Sequence, residues 1–246
     1  MKKRLPKKLN KEPLLEALLE VRFTCDLSAS TILPGLLFGK LDGNKSIEQL
    51  STAQIPTAIR EADPNLRFAP VYRLIWKQFH INIGDKSISI GCQSPDYPGW
   101  VEFKKAILDV VDILIGTNII HSIERYSIKY VNLIPADSLE EQASLINCDI
   151  AIASHKVSKD AFQLRVEIHE DNFINIISVM SSAEILLPDH SIKKGVVVDI
   201  DTIVVISNEP LDKVFENLES TRQLNKAKFF DCLTQKTIDS LEPTYE

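Results

Sequence analysis

Two charged pairs at strand spacing are the residues of this chain best suited to chemistry. Arg125 and Lys129 lie four apart in Ile123-Glu-Arg-Tyr-Ser-Ile-Lys-Tyr-Val-Asn-Leu-Ile134. Alternation along a strand puts both on one face with Ser127 between them, about 13 Å apart at about 3.3 Å per residue. Fixed positive charges at that spacing can pair with phosphate oxygens, so Arg125, Ser127 and Lys129 form a candidate nucleotide- or anion-binding strand. The competing reading is an exposed face whose charges pair with carboxylates of neighbouring strands. Asp199 and Asp201 likewise share a face across Ile200. Two such carboxylates could ligate Mg²⁺ if a third oxygen joined them, and Glu16 and Glu20 are the acids to consider; capping, ion pairing or solvation explains the aspartates equally simply.

Other constellations say less. Glu167 and His169 project together, and a carboxylate can orient an imidazole for general base work, yet any alternating polar strand produces such a pair. His80, His121, His155, His169 and His190 fall at no ligand spacing. There is no G-x-S-x-G, no phosphate-binding P-loop and no dinucleotide glycine pattern, so the familiar enzyme classes lack their local signatures. No catalytic residue is assigned, and no cofactor is called for.

These side chains must be positioned by ordered elements, and composition permits that. With 246 residues, 44% hydrophobic and 25% charged, the chain can bury a sizeable core without metal or disulfide. Its formal charge of −6 argues against a surface wholly devoted to phosphate backbones. Cys25, Cys92, Cys148 and Cys232 lie far apart with no C-x-x-C pair, which suits a reducing cytoplasm better than a zinc site or a secreted disulfide framework. Lys2, Lys3, Arg4, Lys7, Lys8 and Lys11 resemble the start of a signal peptide, but charges interrupt the apolar run after them, and no membrane-spanning run follows. A cytoplasmic protein without membrane association is expected. The basic segment could steer the chain to an acidic partner or nucleic acid; solvated disorder is the simpler reading.

Along the chain, Leu15, Ala17, Leu19, Val21 and Phe23 alternate with mostly polar neighbours; a helix over Leu14 to Glu20 competes, but the alternation persists through Val21-Arg22-Phe23-Thr24 and favours a strand with one buried face. One or two short helices are expected between Ser28 and Asp63, capped by Ser30 or Thr31 and by Ser51 or Thr52. Val71 to Ile83 and Ser87 to Gln93 form a hairpin across Gly84-Asp85-Lys86. After the Tyr97-Pro98-Gly99 turn, Trp100, Phe103, Ile107, Val110, Val111 and Leu114 share one helical face, ending at a left-handed Gly116. In the next strand Tyr126, Ile128, Tyr130 and Ile134 face the core, while Arg125, Ser127 and Lys129 face solvent or a partner. Pro135 to Asn147 connects two halves, with Asp137 or Ser138 as a helix cap. Strands follow over Phe162 to His169, Asn172 to Met180 and Gly195 to Ser207, and Pro210 opens a helical region with Leu211, Val214, Phe215 and Leu218 as its stripe, interrupted by a polar break from Thr221 to Lys226.

The fold expected is α+β: antiparallel sheets packed by long amphipathic helices, in two similar halves. The divisions are a basic flexible tail (1–12), an N-terminal α+β half (13–135) and a C-terminal α+β half (136–246), unless the halves form one continuous domain. Several segments resemble a sporadically distributed bacterial family of uncharacterised proteins: Pro13-Leu-Leu-Glu-Ala-Leu-Leu-Glu-Val-Arg-Phe23, Tyr97-Pro-Gly-Trp100, Arg125-Tyr-Ser-Ile-Lys-Tyr-Val-Asn132, Val198-Asp-Ile-Asp201 and Asn225-Lys-Ala-Lys-Phe-Phe230. Where those relatives carry Gly-Leu-Arg-Tyr, this chain has Ser127-Ile-Lys-Tyr130. The resemblance spans nearly the whole chain and implies the fold, but it carries no activity.

Three functions remain open. The leading one is a noncatalytic binding or regulatory protein acting through protein contacts, in a bacterial defence or toxin-neutralising locus, a setting that the sporadic distribution of the resembling family suggests. The second is a nucleotide or nucleic-acid binding protein, or a metal-dependent nuclease, using Arg125 and Lys129 with Asp199 and Asp201. The third is a small-ligand pocket between sheet and helix. A protein partner is the expected occupant, homo-oligomerisation is left open by the C-terminal apolar stripe, and nucleic acid is not favoured.

Overall fold

The structure, a computed structural model, describes residues 4–186, 192–206, 210–211 and 213–245. Lys2, Lys3, His190 and the Ser207 end of an expected strand lie outside these residues. In chain order the elements are β1 (Lys8–Leu9), β2 (Leu14–Cys25), α1 (Ala29–Lys40), β3 (Lys45–Gln49), a 3₁₀ turn (Ser51–Gln54), α2 (Thr57–Ala62), β4 (Pro70–Trp76), β5 (Phe79–Gly84), β6 (Ser87–Gln93), α3 (Trp100–Ile115) and β7 (Ile120–Pro135). Then come α4 (Leu139–Leu145), β8 (Ala151–Ile152), β9 (His155–Lys156), β10 (Gln163–Glu170), β11 (Phe173–Leu186), β12 (Ile192–Val205), α5 (Leu218–Asp231), α6 (Gln235–Ser240) and β13 (Pro243–Thr244). The main sheet has nine strands in the order β10-β11-β12-β7-β2-β6-β5-β4-β3, and the pairs β2/β6, β6/β5, β5/β4, β4/β3 and β10/β11 are antiparallel. The molecule is therefore mixed helix and mostly antiparallel sheet, and among the described residues no helix is long and apolar enough to cross a membrane.

The chain divides into two compact units, each discontinuous in sequence: residues 16–128 with 203–218, and residues 1–15 with 129–202 and 219–246. The cuts fall inside β2, β7 and β12 and at the first residue of α5.

In the first unit, β2 alternates as expected: Ala17, Leu19, Val21 and Phe23 are buried. Its neighbours add Ile81, Ile83, Ile88 and Ile90 to the same interior. Helix α3 supplies Phe103, Ala106, Ile107, Val110, Val111 and Leu114, all buried. Each large apolar side chain so buried is worth about 1.5–3 kcal/mol against exposure.

Four local expectations need correction. Val71 to Ile83 is not one strand but two, because Lys77 takes a left-handed φ of 54° and turns the chain between Trp76 and Phe79. The edge strand β3 was not expected at all, since Lys45-Ser-Ile-Glu-Gln49 has a single large apolar residue. Gly116 is right-handed at φ −65°; the left-handed residue beyond α3 is Asn118, φ 56°. Nor do Ser30, Thr31, Ser51 or Thr52 cap their helices: the residues at the cap positions are Ser28 for α1 and Leu50 for the 3₁₀ turn, neither with a side-chain cap bond.

In the second unit β10, β11, β12 and the C-terminal part of β7 form the sheet, and α5 and α6 cover one face. Val196, Val198 and Ile200 of β12 pack with Phe229, Phe230, Leu233 and Ile238. The sequence placed a polar break at Thr221 to Lys226, but those residues lie within α5, and 213–217 are turns instead of the expected helix start. Polar Thr221 and Asn225 sit four apart and are buried, so this helix meets its sheet through hydrogen bonds as well as apolar contact. Ser138 caps α4 by accepting from the Glu141 amide at 3.2 Å, as expected. The basic segment is pinned where it is described: β1 pairs with β13, and Arg4 Nη2 donates to the Tyr245 carbonyl at 2.6 Å.

Candidate functional site

On the face of the first unit opposite its buried strand residues, register aligns polar side chains across the strands. Glu48 of β3 stands opposite Arg73 of β4, Arg73 opposite Asn82 of β5, Asn82 opposite Ser89 of β6, and Ser89 opposite Glu20 of β2. Cross-strand neighbours of this kind lie close enough to interact, and those from Glu48 to Ser89 do so in turn. Arg73 Nη1 lies 3.5 Å from Glu48 Oε1, its Nε donates to Asn82 Oδ1 at 2.8 Å, and Asn82 Nδ2 donates to Ser89 Oγ at 3.3 Å. Glu20 Oε1 accepts from Arg22 Nε at 2.6 Å and from Arg125 Nη2 at 3.2 Å. Arg125 thus extends a polar row, and its Nε is buried without a hydrogen-bond partner.

Two features flank the row. His80 Nε2 lies 3.3 Å from Glu16 Oε1 and rests over Gly91, whose missing Cβ leaves the ring its space. The Arg22 guanidinium lies 4.3 Å from the Phe68 ring centroid and that of Arg67 5.2 Å from it, while Arg67 also reaches Glu124 at 3.5 Å. Attraction between guanidinium and ring holds this corner together.

Beneath the surface the same unit holds an ion pair the sequence did not disclose. Asp85, read as part of a turn, is buried, and its carboxylate accepts from Arg60 Nε at 2.7 Å, Arg60 Nη2 at 3.1 Å, Ser30 Oγ at 2.6 Å and Ser28 Oγ. Both hydroxyls bond this carboxylate, and the charged acceptor is the stronger partner. Burial acts to raise the Asp85 pKa, but the bonds from Arg60, Ser28 and Ser30 outweigh it and hold the carboxyl below its ordinary value. The Arg60 pKa is raised, chiefly by its bond to Asp85.

In the second unit Lys129 Nζ lies 2.8 Å from Asp199 Oδ2, so the candidate anion ligand and the candidate metal ligand neutralise each other. Asp199 Oδ1 is buried without a hydrogen-bond partner. Glu16 and Glu20, considered as a third ligand, are committed to His80 and to Arg22 and Arg125. Among the described residues no group of three or more His, Cys, Asp or Glu is placed to hold a metal ion. Ser127 is only 5% exposed, which corrects the expectation of a solvent face shared by Arg125, Ser127 and Lys129. Glu167 and His169 do meet, at 2.9 Å on an exposed strand face.

The other face of this unit's sheet carries a chain of buried polar groups. Asn225 Nδ2 donates to the Ile200 carbonyl at 2.8 Å and to Thr202 Oγ1 at 3.2 Å, and Thr202 Oγ1 donates to Asn175 Oδ1 at 2.9 Å. Asn175 Nδ2 reaches Glu170 at 3.3 Å, which Lys228 binds at 2.6 Å. Tyr130 is buried under the Arg222 guanidinium, 4.4 Å from the ring centroid, while in the first unit Tyr126 is fully buried beside Phe215, centroids 5.2 Å apart. Both tyrosines are core residues, as the alternation of β7 predicted.

A cavity of about 370 Å³ in the second unit is lined by Ile146, Cys148, Ile150, Val157, Phe162 and Thr234 among others. It lies by α4 and the β8–β9 segment, not under a long helix. The cysteines are free, and burial raises the Cys92 and Cys232 thiols to about 11, away from nucleophilic use at neutral pH. No model of a known protein family matches this chain, and no curated protein matches it either.

Proposed function

We propose that the chain is a noncatalytic binding protein acting through protein–protein contacts, with the polar row of the first unit as its recognition face. The observation that carries this reading is the continuous row from Glu48 through Arg73, Asn82, Ser89 and Glu20 to Arg125. Its charges are spent on one another across a broad sheet face, with alternating sign and fixed register. Such a surface offers a macromolecule complementary charges at set spacing, which favours specificity of docking over chemistry on a small molecule. Its setting in a bacterial defence or toxin-neutralising locus belongs to the same proposal.

The test is affinity purification at native expression with native mass spectrometry of what co-elutes, for the natural chain and for Arg73→Glu. A stoichiometric protein partner retained by the first and lost by the second supports the reading. A partner that Arg73→Glu keeps at full occupancy removes the row from the interface, and no partner under any condition rejects the proposal.

A second reading rests on the Arg22–Phe68–Arg67 corner, where guanidinium groups flank a ring beside Arg125. Single-stranded nucleic acid binds such mixtures of aromatic face and positive charge. Oligonucleotide binding that weakens steeply with salt and falls on Arg67→Ala would favour it over a protein partner. Within that reading, Mg²⁺ at Asp199 and Asp201 requires the Lys129 ammonium to leave Asp199.

A further inference from the structure

Strand β10 ends the main sheet, and among the described residues no strand pairs its outer side. It runs eight residues, Gln163–Glu170, in unbroken register with β11 and without Pro, Lys or bulge. These are among the devices by which proteins blunt an open edge, and without them β10 keeps a row of backbone donors and acceptors ready for another strand. The register places Leu164, Val166 and Ile168 on the face of Val179, Ile177 and Asn175, the side that packs on the apolar core. Val166 nevertheless remains 51% exposed, because among the described residues no strand continues the sheet beside it. Arg165 and Glu167 project from the opposite face, and both are exposed.

The sequence of this strand is complementary to itself. In an antiparallel pair, opposed residues point to the same face, so a two-fold axis between two copies of β10 must pass through a residue position. With the axis at Val166, that residue meets its own copy, Leu164 meets Ile168 on the core side, and Arg165 meets Glu167 on the other. A slip of the axis by one residue opposes Arg165 to Arg165 or Glu167 to Glu167, which disfavours both alternatives.

We propose that two copies of this chain join edge to edge through β10 in that register, continuing the sheet and its apolar face from one copy to the other. The occupant of the edge is a second copy because charge and apolar pairing are both satisfied by the strand's own sequence. This interface is separate from the polar row of the first unit, so either reading can fail without the other.

Sedimentation velocity of the full chain across micromolar concentrations tests it, with circular dichroism to check folding. The natural chain should be a dimer. Arg165→Glu and Glu167→Arg, each opposing like charges twice, should weaken it by about tenfold or more, and the double variant, which restores opposite charges, should recover the dimer. Should a charge variant fail to fold, Val166→Lys places like charges on the axis and must give a monomer. A natural chain that stays monomeric, a dimer that neither single variant weakens, a double variant without recovery, or a dimeric Val166→Lys each overturns the proposal.

Discussion

The Arg60–Asp85 pair of the first unit and the Lys129–Asp199 pair of the second have nearly equal closest approaches, 2.7 and 2.8 Å, and opposite settings. The side chains of Arg60 and Asp85 are 6% and 2% exposed, and serine hydroxyls and backbone carbonyls complete their bonding. Those of Lys129 and Asp199 are 35% and 22% exposed, and one Asp199 oxygen lacks a hydrogen-bond partner. A charge pair's role is therefore set by what surrounds it. A sealed, fully bonded pair fixes how α1, α2 and the β5–β6 turn meet, while a half-open pair leaves each member little stabilised by the other.

Breaking the sealed pair should have the largest effect. Asp85→Ala leaves a buried guanidinium uncompensated, for an expected loss of about 3–5 kcal/mol in urea unfolding. A loss below about 1 kcal/mol would show that water reaches the site and would collapse the contrast. Acid should read out the same carboxylate. Its folded pKa lies below the ordinary 3.8, so its contribution is complete above that value and is lost as pH falls through the lower, folded pKa. The stability gap between the natural chain and Asp85→Asn should therefore stay constant from neutrality to about pH 5 and narrow below about pH 4. A gap that narrows near neutrality instead would contradict the bonding described.

A middle case lies under α5. Asn225→Ala strips bonds from the Ile200 carbonyl and from Thr202, leaving buried polar groups unmet at an expected cost of about 1–3 kcal/mol. The midpoint of urea unfolding measures it, and an unchanged midpoint would mean that the buried polar chain is dispensable.

These sites also mark where the sequence was legible. The alternation of Leu14–Cys25 and the apolar face of Trp100–Ile115 were plain because one period persisted over many residues. The turn at Lys77-Gln78 was hidden because neither residue is among the usual formers of a left-handed bend. Arg60 and Asp85 could not be paired, since 25 residues separate them and Asp85 followed a glycine in what reads as an ordinary turn. Thr221 and Asn225 looked like a break because a helix that docks by hydrogen bonds shows no apolar stripe there. At the candidate site, spacing placed Arg125 and Lys129 on one strand but could not supply Glu20 and Asp199, whose positions depend on strand order.

The smallest expected effect carries the most functional weight. Lys129→Met keeps the aliphatic stem and removes the charge, so a half-exposed pair predicts a loss of at most about 1 kcal/mol. A loss of several kcal/mol would move this pair into the class of Arg60–Asp85. The same variant frees Asp199 beside Asp201, so calorimetric titration with Mg²⁺ sharpens the comparison further. If the pair serves only the sheet, neither the natural chain nor the variant takes up the ion, because two carboxylates two residues apart supply too few oxygens. Uptake by the variant alone would show that the Lys129 ammonium stands where a cation can sit, and would favour the metal reading over a purely structural pair.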